Sequence, residues 1–382
     1  MIKKMLLILL SGFVLACSSD DPAPDNNNGG DGDGNNGGGD TASFDRAALL
    51  TNWTDNIIVP AYEDFLPITE TLEASVMAFA ASPDLAGLDQ VRADWLSAYR
   101  AFQWVSMFEI GPAEDARYRV RLNTYPADKA TIDEFRAASS YNLELPSTID
   151  AQGFPAMDYL LYGLADNDTD ILAFYTTDAN AANNLNYLVD LASIIKTLTT
   201  EVRDNWVAEF AASFKANTDA SATGSIDKFT NDFIFYYEKA LRAGKFGIPA
   251  GVFSTDPLPE NVEGFYNKEI SKELALEALQ ATQNFFNGNG QSGGNGNGFK
   301  SYLDFLNTIK NGEDLSTLIN DQFDLARLAI NALDDNFVNQ IQTNNTAMLE
   351  AYDELQRNVI LIKVDMLQAL SIDVDFVDTD GD

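Results

Sequence analysis

The 382-residue chain contains no histidine and a single cysteine, Cys17. Without imidazole, the Ser-His-Asp triad, the Cys-His pair, His-rich zinc sites and the facial triad of non-haem iron are excluded in their usual forms. One thiol allows neither an internal disulfide nor a thiolate metal cluster. Positive charge is scarce as well: 24 Lys and Arg stand against 58 Asp and Glu, a net charge of −34. Nucleic acid is thereby disfavoured as a partner, because neutralising phosphates takes clustered basic residues. The same balance opposes adhesion of side chains to anionic lipid headgroups. Any chemistry must come from carboxylates, phenols, hydroxyls, Lys, Arg or backbone.

What is present suffices for a core: 46% of residues are hydrophobic, with 24 Phe and 14 Tyr. The length suggests about two domains. Lys3 and Lys4 precede an apolar run, Met5 to Ala16, too short to span a bilayer as a permanent helix. It closes on Val14-Leu15-Ala16-Cys17, so residues 1–16 read as a lipoprotein signal peptide and Cys17 as the acylated residue. Ordinary secretory cleavage, with Cys17 incidental, is the alternative. Residues 18–43 hold six aspartates among Asn, Gly, Ser and Pro, and read as a disordered tether reaching about 28 Å. These features place the chain on the outer membrane of a Gram-negative bacterium, facing either the periplasm or, by its Ser18-Ser19-Asp20-Asp21 run, the cell surface.

From Phe44 onward the apolar spacing is three and four, which predicts helices at about 47–80, 86–108, 182–216, 226–244 and 269–286. Met348, Tyr352, Leu355, Val359, Ile362, Met366 and Leu370 form one stripe; Leu315, Leu318, Gln322, Ala326, Ala329, Leu333 and Phe337 form another. The fold class is all-α, with two helical-bundle domains at 44–245 and 246–382. A tetrapeptide echo, Gly153-Phe154-Pro155-Ala156 and Gly247-Ile248-Pro249-Ala250, leaves internal duplication open. Residues 111–163 are loop-rich and suit a site, and the Gly/Asn run at 287–298 reads as a mobile loop.

Several blocks then fall in one order. Trp95, Tyr99, Arg100, Glu109, Gly111 and Pro112 are followed by Asn123-Thr124-Tyr125-Pro126 with Asp128. Next comes Gly153-Phe154-Pro155-Ala156-Met157-Asp158-Tyr159-Leu160-Leu161-Tyr162-Gly163, and last Lys363 to Met366, Ala369 to Ser371 and Asp378 to Asp382. In this pattern the sequence resembles the imelysin family, whose central signature is GxHxxE. The resemblance implies a two-domain helical fold with a site centred on the signature, a suspected metallopeptidase activity, and links to bacterial iron uptake.

The signature His is Pro155 here and the signature Glu is Asp158. Proline offers no ligand atom, so only half of that pair survives. Oxygen ligands remain: Asp158, Glu109 and Asp128 as metal candidates, with Arg100, Tyr125, Pro155 and Tyr159 lining the site. Such a set favours iron or another oxygen-liganded cation over zinc or copper. Each residue also has a plainer reading. Asp158 can be an acid in the first turn of its helix, Arg100 a structural ion pair with Asp158 or Asp128, Glu109 a solvated side chain, and the tyrosines core aromatics. The closing Asp378-Thr379-Asp380-Gly381-Asp382 lacks the glutamate of an EF-hand and reads as an acidic tail. Three functions compete: an envelope binding lipoprotein for a metal ion, a chelate or an envelope protein; a non-catalytic scaffold with a decayed site; and, least supported, a metallopeptidase.

Overall fold

Helix caps and apolar stripes convert the sequence into an all-α fold. In the computed structural model, residues 43–138 and 140–375 are described; Cys17, the leader, the tether and the terminal acidic run lie outside them. Asp45 opens the first rod by accepting a 2.8 Å bond from the Ala48 amide. Arg46–Asn52, Trp53–Ile58 and Val59–Ala81 then follow without a break. Asp84 opens Leu85–Phe102 in the same way, through the Gly87 amide at 2.7 Å. Val59–Ala81 packs on Leu85–Phe102 and on Ala181–Asn205. Beyond them, Leu315–Asn331 packs on Phe337–Val359, and both contact the helical run Tyr236–Gly247 or its neighbour Ser271–Phe286.

The C-terminal stripe behaves as its spacing requires: all seven residues from Met348 to Leu370 are buried. The stripe expected to start at Leu315 is corrected. Its helix ends at Asn331, and Phe337 starts the next one. Its inward face keeps the expected Leu315, Gln322 and Ala326 and adds Ile319, Phe323 and Ile330, while Leu325 and Leu328, outside the expected stripe, are exposed.

The boundary placed at 245–246 falls inside helical backbone, since Tyr236–Gly247 continues into Ile248–Ala250. The two echo tetrapeptides have different local geometry: Gly153 opens a helix at φ +74°, whereas Gly247 is helical at φ −64°. The 287–298 run is also corrected from mobile loop to packed turn. The Asn52 amide donates to the carbonyls of Gly288 at 2.9 Å and Asn297 at 2.8 Å. A Cβ on Gly290 would stand 2.4 Å from the Asn56 carbonyl oxygen, so its glycine serves close approach to a helix. One short hairpin, Ile309–Lys310 with Glu313–Asp314, turns at Asn311-Gly312, both at positive φ.

Five segments of the described residues have the wider turns of a π-helix. One of them, Tyr236–Gly247, lines a cavity considered next, and another, Tyr159–Gly163, directly follows Asp158. Such bulges redirect side chains within a helix.

Candidate functional site

The signature helix, Gly153–Asp158, is buried over its whole length. Gly153 makes its start possible. At φ +74° a Cβ there would stand 2.2 Å from the Leu122 carbonyl oxygen, so only glycine lets the helix begin against Tyr118–Asn123. Trp95 then donates its indole N–H to the Phe154 carbonyl at 3.2 Å, and Phe154 stacks on Tyr99 with centroids 4.6 Å apart. Trp95 and Phe102 are core.

Asp158 is the last residue of this helix, not an acid of its first turn. It is 2% exposed and reaches across to another segment, accepting from the amides of Tyr266 at 2.8 Å and Asn267 at 2.9 Å. No salt bridge to it occurs among the described residues. Burial pushes its carboxyl up to about 7, against the pull of the two amides. Asp158, Pro155 and Tyr125 line one cavity of about 220 Å³ with Glu260, Val262 and Tyr266. Three expected site residues therefore meet, and Tyr159 stands beside them with its ring 4.9 Å from that of Tyr266. The Tyr159 hydroxyl donates to Asp133 at 2.8 Å, so it is engaged elsewhere.

The other candidates do not join them. Asp128 caps the helix Lys129–Ala137, accepting from the Ala130 amide at 3.0 Å and from the Thr131 hydroxyl, and is held below the usual carboxylate range. Glu109 lines a different cavity of about 450 Å³ with Glu114, Lys228 and Asp232. It accepts from the Arg119 amide at 2.8 Å, and burial lifts its carboxyl to about 7. Arg100 pairs with Glu273 at 3.1 Å and Glu277 at 3.4 Å near the surface, which corrects the expected partners Asp158 and Asp128.

A neighbouring cavity of about 420 Å³ shares Tyr125 and Pro126 with the first. Behind its wall lies a network that sequence reasoning missed. Glu263, 2% exposed, accepts from the Asn123 amide at 2.7 Å and from Lys245. Lys245 also donates to the Gln103 side-chain oxygen Oε1 at 3.0 Å, and the Tyr99 hydroxyl donates to Asn123 Oδ1 at 2.5 Å. Burial lowers the Lys245 ammonium, and Glu263 opposes that shift. A signal for it existed: Glu238, Arg242 and Lys245 recur at spacings of four and three along one helical face, and all three are buried.

Among the described residues no three His, Cys, Asp or Glu side chains gather closely enough to hold an ion. The signature cavity offers two carboxylates, Asp158 and Glu260. Burial and the Glu263 charge push the Tyr125 phenol well above its usual range, which makes it a hydrogen-bond donor before a phenolate ligand. A resident ion held by protein ligands alone does not fit.

With that geometry in view, comparisons decide the family. The imelysin model, described as peptidase M75, matches residues 58–360. The chain belongs to the imelysin family. An imelysin-like protein from Psychrobacter arcticum 273-4 superposes with a TM-score of 0.66 at 17% identity, covering 87% of this chain and 97% of that one. A Parabacteroides distasonis structure, named as a candidate iron-regulated protein A precursor, gives 0.67 at 19% identity, covering 86% and 97%. At those identities the likeness establishes the all-α imelysin fold. Iron-regulated protein A of Synechococcus elongatus is 25% identical over 139 residues, 34% of this chain and 38% of that protein's length. Imelysin membership thus comes with relatives named for iron regulation, under a family description that names a peptidase.

Proposed function

We propose that this imelysin-family chain is an envelope-anchored lipoprotein that binds iron or another oxygen-loving metal in chelated form, and does not hydrolyse peptides. One observation carries the reading: Asp158 is a buried carboxylate with no cationic partner among the described residues, on the wall of a cavity that also holds Glu260. A buried carboxylate lacking a cation is costly when ionised, and a cation supplied from outside removes the cost. Two carboxylates leave most coordination positions to be filled by water or an organic chelator. Relatives named for iron regulation support the metal. The leader, residues 1–16, followed by Cys17 supports the anchor. Against hydrolysis stands the absence of histidine, since a metal that activates water is usually held by nitrogen ligands.

Equilibrium dialysis of the full chain against iron citrate, Mn, Ca and Zn tests this, with Asp158→Asn as control. Saturable uptake near one equivalent, lost in the variant, is the expected result. Equal uptake by both proteins sinks the placement at Asp158. Peptide hydrolysis that vanishes with chelator and returns with metal would overturn the non-enzymatic reading.

A scaffold with a decayed site is the second reading, favoured by one feature: both Asp158 oxygens already accept backbone amides, and so stitch the signature helix to residues 266–267.

A further inference from the structure

We propose that the cavity walled by Arg119, Lys239 and Lys245 binds a small organic polycarboxylate. The chain carries more than two acids per base, yet no Asp or Glu is among the residues lining this cavity of about 420 Å³. Three of its cations are. They come from two elements, Arg119 from Tyr118–Asn123 and both lysines from Tyr236–Gly247, so positive charge reaches the space from more than one side.

Acids that hold these cations stand outside the lining. Arg119 is tied to Asp232 at 3.3 Å and to the Ser106 carbonyl at 3.1 Å. Lys245 is tied to Glu263, and Lys239 to the buried Glu238 at 3.0 Å. Each base is thereby fixed in place, which spares a ligand the cost of ordering long flexible side chains. Neutral donors complete the wall. The Tyr125 hydroxyl makes no hydrogen bond among the described residues, and the phenol stays protonated, so it can donate into the cavity. Asn261 and Thr124 add polar groups, while Val120, Phe235 and Ile248 give the apolar surface that a carbon skeleton needs.

The volume argues for an organic anion over a bare oxoanion. It lies in the range of small-molecule pockets, and a single phosphate would fill little of it. Carboxylates spread along a short skeleton can meet separated cations, which one tetrahedral anion cannot. This proposal stands without the metal reading of Asp158, because its probe carries no metal.

Calorimetric titration of the full chain with metal-free citrate, and separately with inorganic phosphate, tests it. Citrate binds at one site, and phosphate binds at least about tenfold more weakly. Lys239→Gln, which keeps the stem and removes the charge, weakens citrate about tenfold or more. Tyr125→Phe, which removes one hydroxyl from the wall, weakens it about fivefold. Thermal melts of both variants verify that they fold. No citrate binding at millimolar concentration, undiminished binding in folded Lys239→Gln, or phosphate bound as tightly as citrate would each overturn the proposal.

Discussion

Asp158 and Asp128 are chemically the same group, and each accepts hydrogen bonds from two backbone amides. Their fates diverge. Asp128 starts a helix near solvent and is held below the usual carboxylate range by its Thr131 and amide donors. Asp158 sits in the core where the signature helix passes into the π-helical Tyr159–Gly163, and burial lifts it to about 7 despite its two backbone donors. Backbone hydrogen bonding to the charged form is similar in both regions, so the Thr131 hydroxyl at Asp128 and the burial of Asp158 make the difference. A carboxylate spent on capping is satisfied; one buried without a cation is left with an unmet demand. That difference separates the candidate site from its surroundings better than the count of acids does.

The comparison can be broken first at Gly153, whose backbone lets the signature helix seat against Leu122. Gly153→Ala should cost more than about 3 kcal/mol, from the left-handed φ together with the clash, and appear as a large fall in melting temperature. A fall within the scatter of surface substitutions would contradict the seating.

Asp158 itself sharpens the contrast through pH. Its folded value lies above the 3.8 of an ordinary Asp, so the folded state holds the proton more tightly. The resulting stability is present below about 4 and lost as pH rises through about 7, by at most about 4 kcal/mol. Glu109, also lifted to about 7, adds in the same direction. Urea midpoints measured from pH 4 to 8 should therefore decline more steeply for the native chain than for Asp158→Asn. Parallel curves would remove Asp158 as a perturbed group.

Asp128 should show the opposite sign and the smallest effect. Asp128→Ala loses a helix cap worth about 1 kcal/mol at neutral pH. Because its folded value is lowered, that contribution is present above the ordinary Asp range and fades as pH falls through the folded value. A deficit that grows on acidification would refute the cap.

Helix content was legible in the sequence because the three-four spacing reports a buried face directly, as the stripe from Met348 to Leu370 does. The spacing did not reveal the break between Asn331 and Phe337, because Leu333 and Phe337 are buried although the helix has ended. Composition misled at 287–298, since glycine needed for close packing against Asn52 and Asn56 looks like glycine used for flexibility. At the site, Pro155, Asp158 and Tyr125 could be picked out and do meet. Their opposing wall, Glu260 to Asn267, lies about a hundred residues away, and no local spacing announces such a contact. The same reason hid the true partners of Arg100, which are Glu273 and Glu277.

The most direct test is to locate the metal. Crystals of the full chain grown with iron citrate, with diffraction recorded on both sides of the iron edge, should give one anomalous peak in the cavity between Asp158 and Glu260. The peak should be absent from Asp158→Asn crystals. A peak at another group of acids, or none at full occupancy of the soak, would contradict the assignment of the signature cavity as the binding site.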